Sequence, residues 1–351
     1  MTDAAVIVDG KRFTGWKSVR AQRSLEHLSG EFEFTAASPI IAPEAFSSLR
    51  AWAPCRIEIG GEPVLGEAFI DEDGIRHGVE SRELRIAGRD RTADLVDCSA
   101  PQKPGVWRGQ KLAHIAADLC RPFGITVRDQ ASPLSDRAFG EFELEEGETA
   151  FEAVRRLAAM RAVLLLSNPA GELVIARPGA EEIPTPIVFG ENLLSGSVQR
   201  SVRGRYSEIT CLGQKPADDD DWGEAAARAK GRATDAGVPR HRPLVILSGE
   251  AGDAVAMERM AAWEVRRRRG RGALYTAAVA GWTHADGIWD VNRIVHVDDP
   301  VCQIEGPMLV TQVVWEKDAG DGTRTTLTLE PPDALDLVAR PEKQAEKGWW
   351  T

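Results

Sequence analysis

The sequence predicts a β-rich α+β fold built from more than one domain. Short segments of alternating apolar and polar residues recur along the chain, punctuated by Asp-Gly and Gly-Gly turn signals. Apolar residues at helical spacing are confined to three stretches, 110–119, 149–158 and 253–269. The chain has 351 residues, and at about 150 residues per domain that length holds two or three domains.

The N-terminal strands come first. Val6, Ile7 and Val8, the pair Asp9-Gly10, then Lys11, Arg12 and Phe13 read as a small hairpin, because Asp-Gly adopts the left-handed backbone that tight hairpins need. Residues 16–26 and 30–35 alternate. Residues 54–65 give a strand, the turn Gly60-Gly61 and another strand, and 68–71 and 83–88 add two more. So many short strands at regular spacing predict a small barrel or sandwich over residues 1–97.

Residues 99–105 read as a linker. Leu112, Ile115, Ala116 and Leu119 then share one helical face. Thr149 precedes a second helix carrying Phe151, Val154, Leu157 and Ala158. Glu152 stands three residues after Thr149, the spacing of a capping box. Residues 163–166 and 173–176 flank Asn168-Pro169-Ala170-Gly171 as a hairpin, which makes 98–183 an α+β unit.

Strand patterns return at 187–189, 193–194, 197–202 and 206–213. Asp218–Asp221 and the Gly/Ala-rich residues to Gly237 read as a solvated loop. A strand at 242–247 precedes a helix capped by Asp253, with Val255, Met257, Met260, Ala261 and Val265 on its face. Residues 272–300 then read strand, turn, strand. Tyr275, Ala277 and Val279 oppose Leu274, Thr276, Ala278 and Ala280, while Trp282 and Trp289 bracket the turn signal Asp286-Gly287. Strands at 308–315 and 323–329, joined at Asp321-Gly322, end before Pro331-Pro332. The predicted organisation is a first β region (1–97), an α+β domain (98–183), a second β region (184–215 with 290–335), an inserted α+β region (216–289) and a loose tail (336–351).

Composition narrows the partners. A formal net charge of −11 argues against free nucleic acid or an anionic membrane as a broad partner. The apolar run from Ala162 to Leu166 is far short of the roughly 20 residues that span a bilayer, and the N-terminus has no signal-peptide pattern. Cys55, Cys98, Cys120, Cys211 and Cys302 are scattered, odd in number and in no CxxC pair. They read as reduced, buried thiols of a cytoplasmic fold, with neither a disulfide framework nor a zinc site.

Each candidate site meets a structural explanation. Four consecutive aspartates, Asp218–Asp221, lack the ligand spacing and turn glycine of a calcium loop. Arg266–Arg269 and Arg271 have the charge for phosphate, but they close a helix, where cations complement its dipole and Gly270 suits the cap. His27, His77, His114, His241, His284 and His296 form no HExxH or HxH pattern. Glu145, Glu146 and Glu148 precede a helix, where the dipole accounts for them. No phosphate loop, dinucleotide fingerprint or nucleophile elbow is present. Ten tryptophans are spread through the chain, which favours core and anchoring roles over a sugar groove. No catalytic, cofactor-binding or metal residue is assigned, and no cofactor is expected.

Specific residues carry a resemblance. Gly15-Trp16-Lys17-Ser18-Val19-Arg20, Ser24-Leu25-Glu26 and Gly30-Glu31-Phe32-Glu33-Phe34 look like the opening of the baseplate hub proteins of contractile-tailed, Mu-like phages, the late control protein D type. The stretch Ile86-Ala87-Gly88-Arg89-Asp90-Arg91-Thr92-Ala93-Asp94-Leu95-Val96-Asp97-Cys98-Ser99 is the most characteristic. Gly190-Glu191-Asn192-Leu193-Leu194, the run from Arg205 to Gln214, and Gly281-Trp282 with Trp289 and Asn292 support it. The similarity spans about residues 6–335, and the order of these motifs is more specific than any one of them.

The resemblance implies two small antiparallel, tail-tube-like β-barrel domains per chain and a homotrimeric ring of six barrels. That ring joins the six-fold tail tube to the three-fold central spike, with other baseplate proteins as further partners. DNA passes through its channel without specific binding, and there is no membrane insertion. It also implies a place in the virion tail baseplate after assembly in the host cytoplasm, and a structural role without enzyme chemistry. The channel surface is expected to be neutral to acidic, with arginine-rich patches elsewhere. The competing readings are a tail-tip cell-wall hydrolase, for which the sequence offers no carboxylate pair, and a carbohydrate-binding module using the tryptophans.

Overall fold

Turn chemistry sets the first hairpins. Asp9 and Gly10 have φ of 50° and 74°, and Gly60 and Gly61 have 65° and 94°. Positive φ at both central residues is the type I′ geometry whose twist matches paired strands. The computed structural model describes residues 3–37, 47–79, 81–101, 103–179, 181–214, 228–251, 254–318, 320 and 322–335. The aspartate run Asp218–Asp221, the expected cap Asp253, Asp321 and the tail 336–351 lie outside the described residues.

The chain begins with β1 (Ala5–Val8), β2 (Lys11–Phe13), β3 (Ser18–Ser24), β4 (Glu31–Ala37), β5 (Pro54–Ile59), β6 (Glu62–His77) and β7 (Arg82–Asp90). Next come α1 (Ala93–Asp97), β8 (Val106–Gln110), α2 (Leu112–Cys120), β9 (Val127–Asp129), β10 (Phe139–Glu143), α3 (Ala150–Arg161), β11 (Leu164–Ser167) and β12 (Leu173–Ala176). Then follow β13 (Glu181–Val188), β14 (Leu193–Arg200), β15 (Glu208–Gln214), β16 (Arg228–Thr234), β17 (Pro243–Ala251) and α4 (Ala254–Gly270). The last strands are β18 (Ala273–Ala280), β19 (Thr283–His284), β20 (Gly287–Ile288), β21 (Arg293–Asp299), β22 (Ile304–Asp318) and β23 (Gly322–Glu330).

The chain divides into two units, Met1–Ala158 with Val163–Val198 and Tyr275–Leu329, and Ala159–Ala162 with Gln199–Leu274 and Glu330–Thr351. The first unit contains a 13-stranded sheet in the order β14-β18-β23-β22-β3-β4-β7-β6-β5-β1-β2. Off this path, β21 pairs with β22 and β13 lies parallel to β21. Two separate barrels were the expectation. Among the described strands there is one continuous sheet and no closed barrel. The reason is the 15-residue strand β22. Its first part pairs with β21 (Ile304 with Asp299 through Leu309 with Ile294), and its second part pairs with β3 (Gln312 with Ser24 through Lys317 with Val19). One core cluster accordingly draws on both halves, with Val6, Phe34, Ile57 and Ile86 from the first and Tyr275, Val295, Trp315 and Leu327 from the second.

The inserted region has different bounds from those expected. β15, read as part of the second β region, is the central strand of a separate three-stranded sheet, β16-β15-β17, in the second unit. β18, read as part of the insertion, pairs with β23 in the large sheet and buries Tyr275, Ala277 and Val279. Alternation marks both segments as strands, but the choice of sheet rests on partners far away in sequence. In the second unit, Met257, Ala261 and Val265 of α4 pack on Ile209, Cys211 and Ala229. A Cβ at Gly231 would lie 2.0 Å from the Glu258 backbone nitrogen, so this glycine lets the helix approach the sheet.

Two expected local devices are present. At α3, Thr149 N–H donates to Glu152 Oε2 (2.9 Å) and Glu152 N–H to Thr149 Oγ1 (3.2 Å), a reciprocal capping box. The 163–176 hairpin forms as β11 and β12, with Asn168 Oδ1 accepting from the N–H groups of Ala170 and Glu172. β16 forms within the stretch up to Gly237 that reads as a solvated loop, and β8, β9 and β10 lie in stretches that the sequence pattern leaves without strands. The latter three are short, and β9 pairs in parallel with β12 across more than forty residues. The turn near Trp289 also shifts. His284 pairs with Gly287, so Ala285 and Asp286 occupy its centre rather than Asp286 and Gly287.

Asp90, at the end of β7, ties the first unit together. It is buried and accepts four hydrogen bonds: from Gly30 N–H and Ser167 Oγ (both 2.8 Å), Thr92 N–H (2.9 Å) and the Thr92 hydroxyl. Beside it the buried Arg23 donates to Asp290 (2.6 Å) and to the Ser167 carbonyl. Burial pushes the Asp90 carboxyl above its usual value, and the four donors pull it back. Replacing Asp90 with Ala orphans these donors and should lower the unfolding free energy by about 3 kcal/mol, read as an earlier urea midpoint; an unchanged midpoint would show the node is dispensable.

Asp235 plays the matching part in the second unit, accepting from Arg205, Arg269 and Gly237 N–H. Burial alone would raise its carboxyl; the bonds from Arg205, Gly237 and Arg269 outweigh that and hold it below the usual value. A depressed folded-state value gives stability that is present above the ordinary carboxyl range and lost as pH falls through the folded value. Protection of the β15–β17 amides, taken as exchange relative to the intrinsic rate at each pH, should therefore fall below about pH 4, and Asp235→Asn should flatten that dependence.

Candidate functional site, the polar face of the large sheet

Strand alternation gives the large sheet one buried and one polar face, and strand pairing assembles the polar residues into a lattice. Arg20 opposes Glu316 on β22 and Glu33 on β4. Gln22 opposes Glu31, which in turn opposes Arg89 on β7, and Thr35 opposes Arg85. Toward the other end, Thr328 and Thr326 of β23 stand beside Thr276 and Ala278 of β18, with β14 at the margin. The polar face thus runs over eight strands, from β14 to β6.

Its charges are paired. Arg20 donates to Glu316 (2.8 Å) and Gln22 to Glu31 (2.7 Å). Arg85 holds Glu33 with two bonds of 2.8 Å and reaches Glu72 at 3.2 Å. Arg89 bridges Asp71 (2.9 Å) and Asp97 (2.8 Å), and Arg324 meets Glu316 at 3.3 Å. Hydrogen bonds from Arg85, with the charges of Arg85 and Arg20, hold Glu33 below the usual carboxylate value against a smaller effect of burial. Four arginines thus stand among Glu31, Glu33, Asp71, Glu72, Asp97 and Glu316, a surface that is slightly acidic. A shallow depression of about 230 Å³ lies over Gln22, Phe32 and Gly88.

The residues weighed from sequence lie elsewhere. Arg267 and Arg268 pair with Glu264 one turn back, and Arg269 with Asp235, so the arginine run is engaged at the end of α4. Glu145 and Glu148 both grip Arg156 of α3, at 3.3 and 2.7 Å. His284 packs edge-on against Trp289, and burial lowers its pKa. Among the described residues, no group of three or more His, Cys, Asp or Glu is placed to hold a metal ion. No described helix is long and apolar enough to cross a membrane. Cys55, Cys120 and Cys211 are buried, whereas Cys98 is exposed, against the expectation for it. Trp16, Trp107, Trp282, Trp289 and Trp315 are buried. Trp52 is not, with 90 % of its surface exposed.

Sequence reading did not single out the polar face as a site. Its period-2 pattern is visible in β3, β4 and β7, but which arginine meets which carboxylate depends on register. Exposed ion pairs contribute about 0–1 kcal/mol each, so the lattice governs surface character more than stability. Arg85→Ala, at a pair whose side chains are each nearly half exposed, should change the unfolding free energy by less than about 1 kcal/mol in urea titration. A loss of several kcal/mol would make the lattice a structural element instead.

Comparisons with known proteins cover almost the whole chain. Residues 3–90 match the family described as Mu phage baseplate assembly protein GpP-like, N-terminal, and residues 92–177 match baseplate hub protein gp44-like, second domain. Residues 205–262 match tail protein NMB1110-like, third domain, and 252–338 match Mu phage baseplate assembly protein GpP, fourth domain. The baseplate hub protein gp44 of Escherichia phage Mu is 35% identical over 347 residues, covering 97% of this chain and 90% of that protein. The 43 kDa tail protein of prophage MuSo2 from Shewanella oneidensis superposes with a TM-score of 0.84 at 29% identity, over 96% of this chain and 100% of that one. The tail protein of Neisseria meningitidis MC58 has the same fold, with a TM-score of 0.79 at 24% identity over 97% and 99% of the two chains. Neither the hydrolase nor the carbohydrate-binding reading gains support from these relatives. From its first strand to its last, the chain belongs to the baseplate hub proteins of Mu-like phage tails.

Proposed function

We propose that three copies of this hub protein form a ring that joins the six-fold tail tube to the three-fold spike, with the polar sheet face lining the channel. The observation that carries this reading is the continuity of that face over eight strands with its charges paired. DNA in transit needs a wall that does not hold phosphate. Each cation on a wall that neutralises phosphate adds to a salt-dependent grip, and here every one of the four arginines already has a carboxylate partner. The two strand sets joined at β3 and β22 serve as the two tube-like halves of each copy. The role is structural, by shape and subunit contact and without chemistry. The protein assembles in the host cytoplasm and acts in the tail baseplate beside tube and spike proteins.

The test combines mass and DNA binding. In solution the full chain should reach the mass of a trimer, and the assembled protein should show no salt-sensitive retention of duplex DNA. Glu33→Lys with Glu316→Lys makes the face strongly basic and should create such binding and slow DNA delivery, with the fold intact. Tight DNA binding by the unaltered assembly, weakening steeply with salt, would refute the channel assignment.

A further inference from the structure

Among the described residues, the eight-strand polar face ends in two open edges. At one end, β6 pairs with both β5 and β7 only as far as Phe69; among the described residues, Glu72–His77 pair with β7 alone. Ile75 and Val79 on this arm are exposed, and Trp52 stands next to it. Trp52 N–H donates to the Ile70 carbonyl and Ala51 N–H to Asp73 Oδ1, both at 2.8 Å, so the turn is pinned to β6. Trp52 has φ of 74°, a conformation that an L side chain adopts only under strain. A strained backbone that presents an indole to solvent is an arrangement that folding alone does not call for.

At the other end, β14 has β18 as its one neighbour in the sheet order. Its sequence, LLSGSVQR, holds no proline and a single charge, so it lacks the usual protection of a sheet edge. By contrast the far terminal strand, β2, is three residues long with two charges. Beside β14 lies a groove of about 460 Å³ over Leu194, Ser197, Thr276, Ala278 and Arg324. Leu194 supplies an exposed apolar wall, and Arg324 a guanidinium that can lie over an aromatic ring. The net charges have opposite sign: residues Asp71–His77 carry three carboxylates against Arg76, with Asp71 and Glu72 bonded to Arg89 and Arg85, and the one charge of β14 is Arg200.

We infer that Trp52 and the β6–β7 arm of one copy dock on the β14 edge and groove of a second copy of this chain, head to tail. A knob at one end of a sheet and a groove at the other make a heterologous contact, which closes into a ring when its rotation divides a full turn. The Trp52 indole fills the groove, and the backbone of the arm, which has no second strand partner among the described residues, adds to the β14 edge. This inference rests on the trimeric reading above and names the surfaces that build it.

The experiment measures association of the full chain by light scattering over a concentration series. It compares the unaltered protein, Trp52→Gly, which suits the positive φ while removing the indole, and Ser197→Arg, which fills the groove from an exposed position. Each variant should weaken association by at least about thirtyfold, with thermal unfolding of Trp52→Gly no lower than that of the unaltered chain. If both variants associate like the unaltered chain, the trimeric reading stands and this interface is wrong. If only Trp52→Gly weakens association, Trp52 docks elsewhere and the inference also fails. If the unaltered chain stays monomeric at all concentrations, the ring reading and this interface fall together.

Discussion

The seam between β3 and β22 holds the first unit as one body. Residues 19–24 pair with residues 312–317, so strands from near the two ends of the sequence lie side by side in the sheet. On its buried side the seam places Ala21 beside Trp315 and Val19 beside Lys317, and on its polar side Arg20 beside Glu316. Because β22 also pairs with β21, β13, β14, β18, β21 and β23 all reach the first half of this sheet through it. Loop closure over such a separation costs conformational entropy, and a single large core repays it.

The polar face follows from that seam. With one buried side shared by both halves, the opposite side is also one surface, and the register that aligns Arg20 with Glu316 carries through β4 to Arg85 and Arg89. The buried node of Asp90, Thr92, Gly30 and Ser167 adds the α+β segment to the same body, and Arg23 reaches both Ser167 and Asp290 nearby. Three chain segments thus share buried polar contacts in one core.

Local chemistry was legible in the sequence. Asp9-Gly10 and Gly60-Gly61 announce their turns because few other residues accept positive φ at both positions, and Thr149 with Glu152 announces the start of α3 because the capping box is a short-range device. The arginine run at 266–269 also reads correctly as a helix end, although its partners Glu264 and Asp235 emerge only in space. Allocation of strands was not legible. β15 and β18 show similar alternation, yet β15 joins β16 and β17 while β18 joins β23. The exposure of Trp52 was equally hidden, since composition makes any tryptophan look like core.

By itself, the sequence determined the turns at Asp9-Gly10 and Gly60-Gly61, the capping box at Thr149, the amphipathic helices, the alternation of most long strands and the family resemblance. These depend on neighbours a few residues apart, or on motif order. Only the tertiary structure decided that one sheet replaces two separate barrels, which segments form the second unit, and that a paired-charge face spans β14 to β6. Those features are set by strand partners hundreds of residues apart, and a period-2 pattern records which face of a strand is buried but not which strand lies beside it.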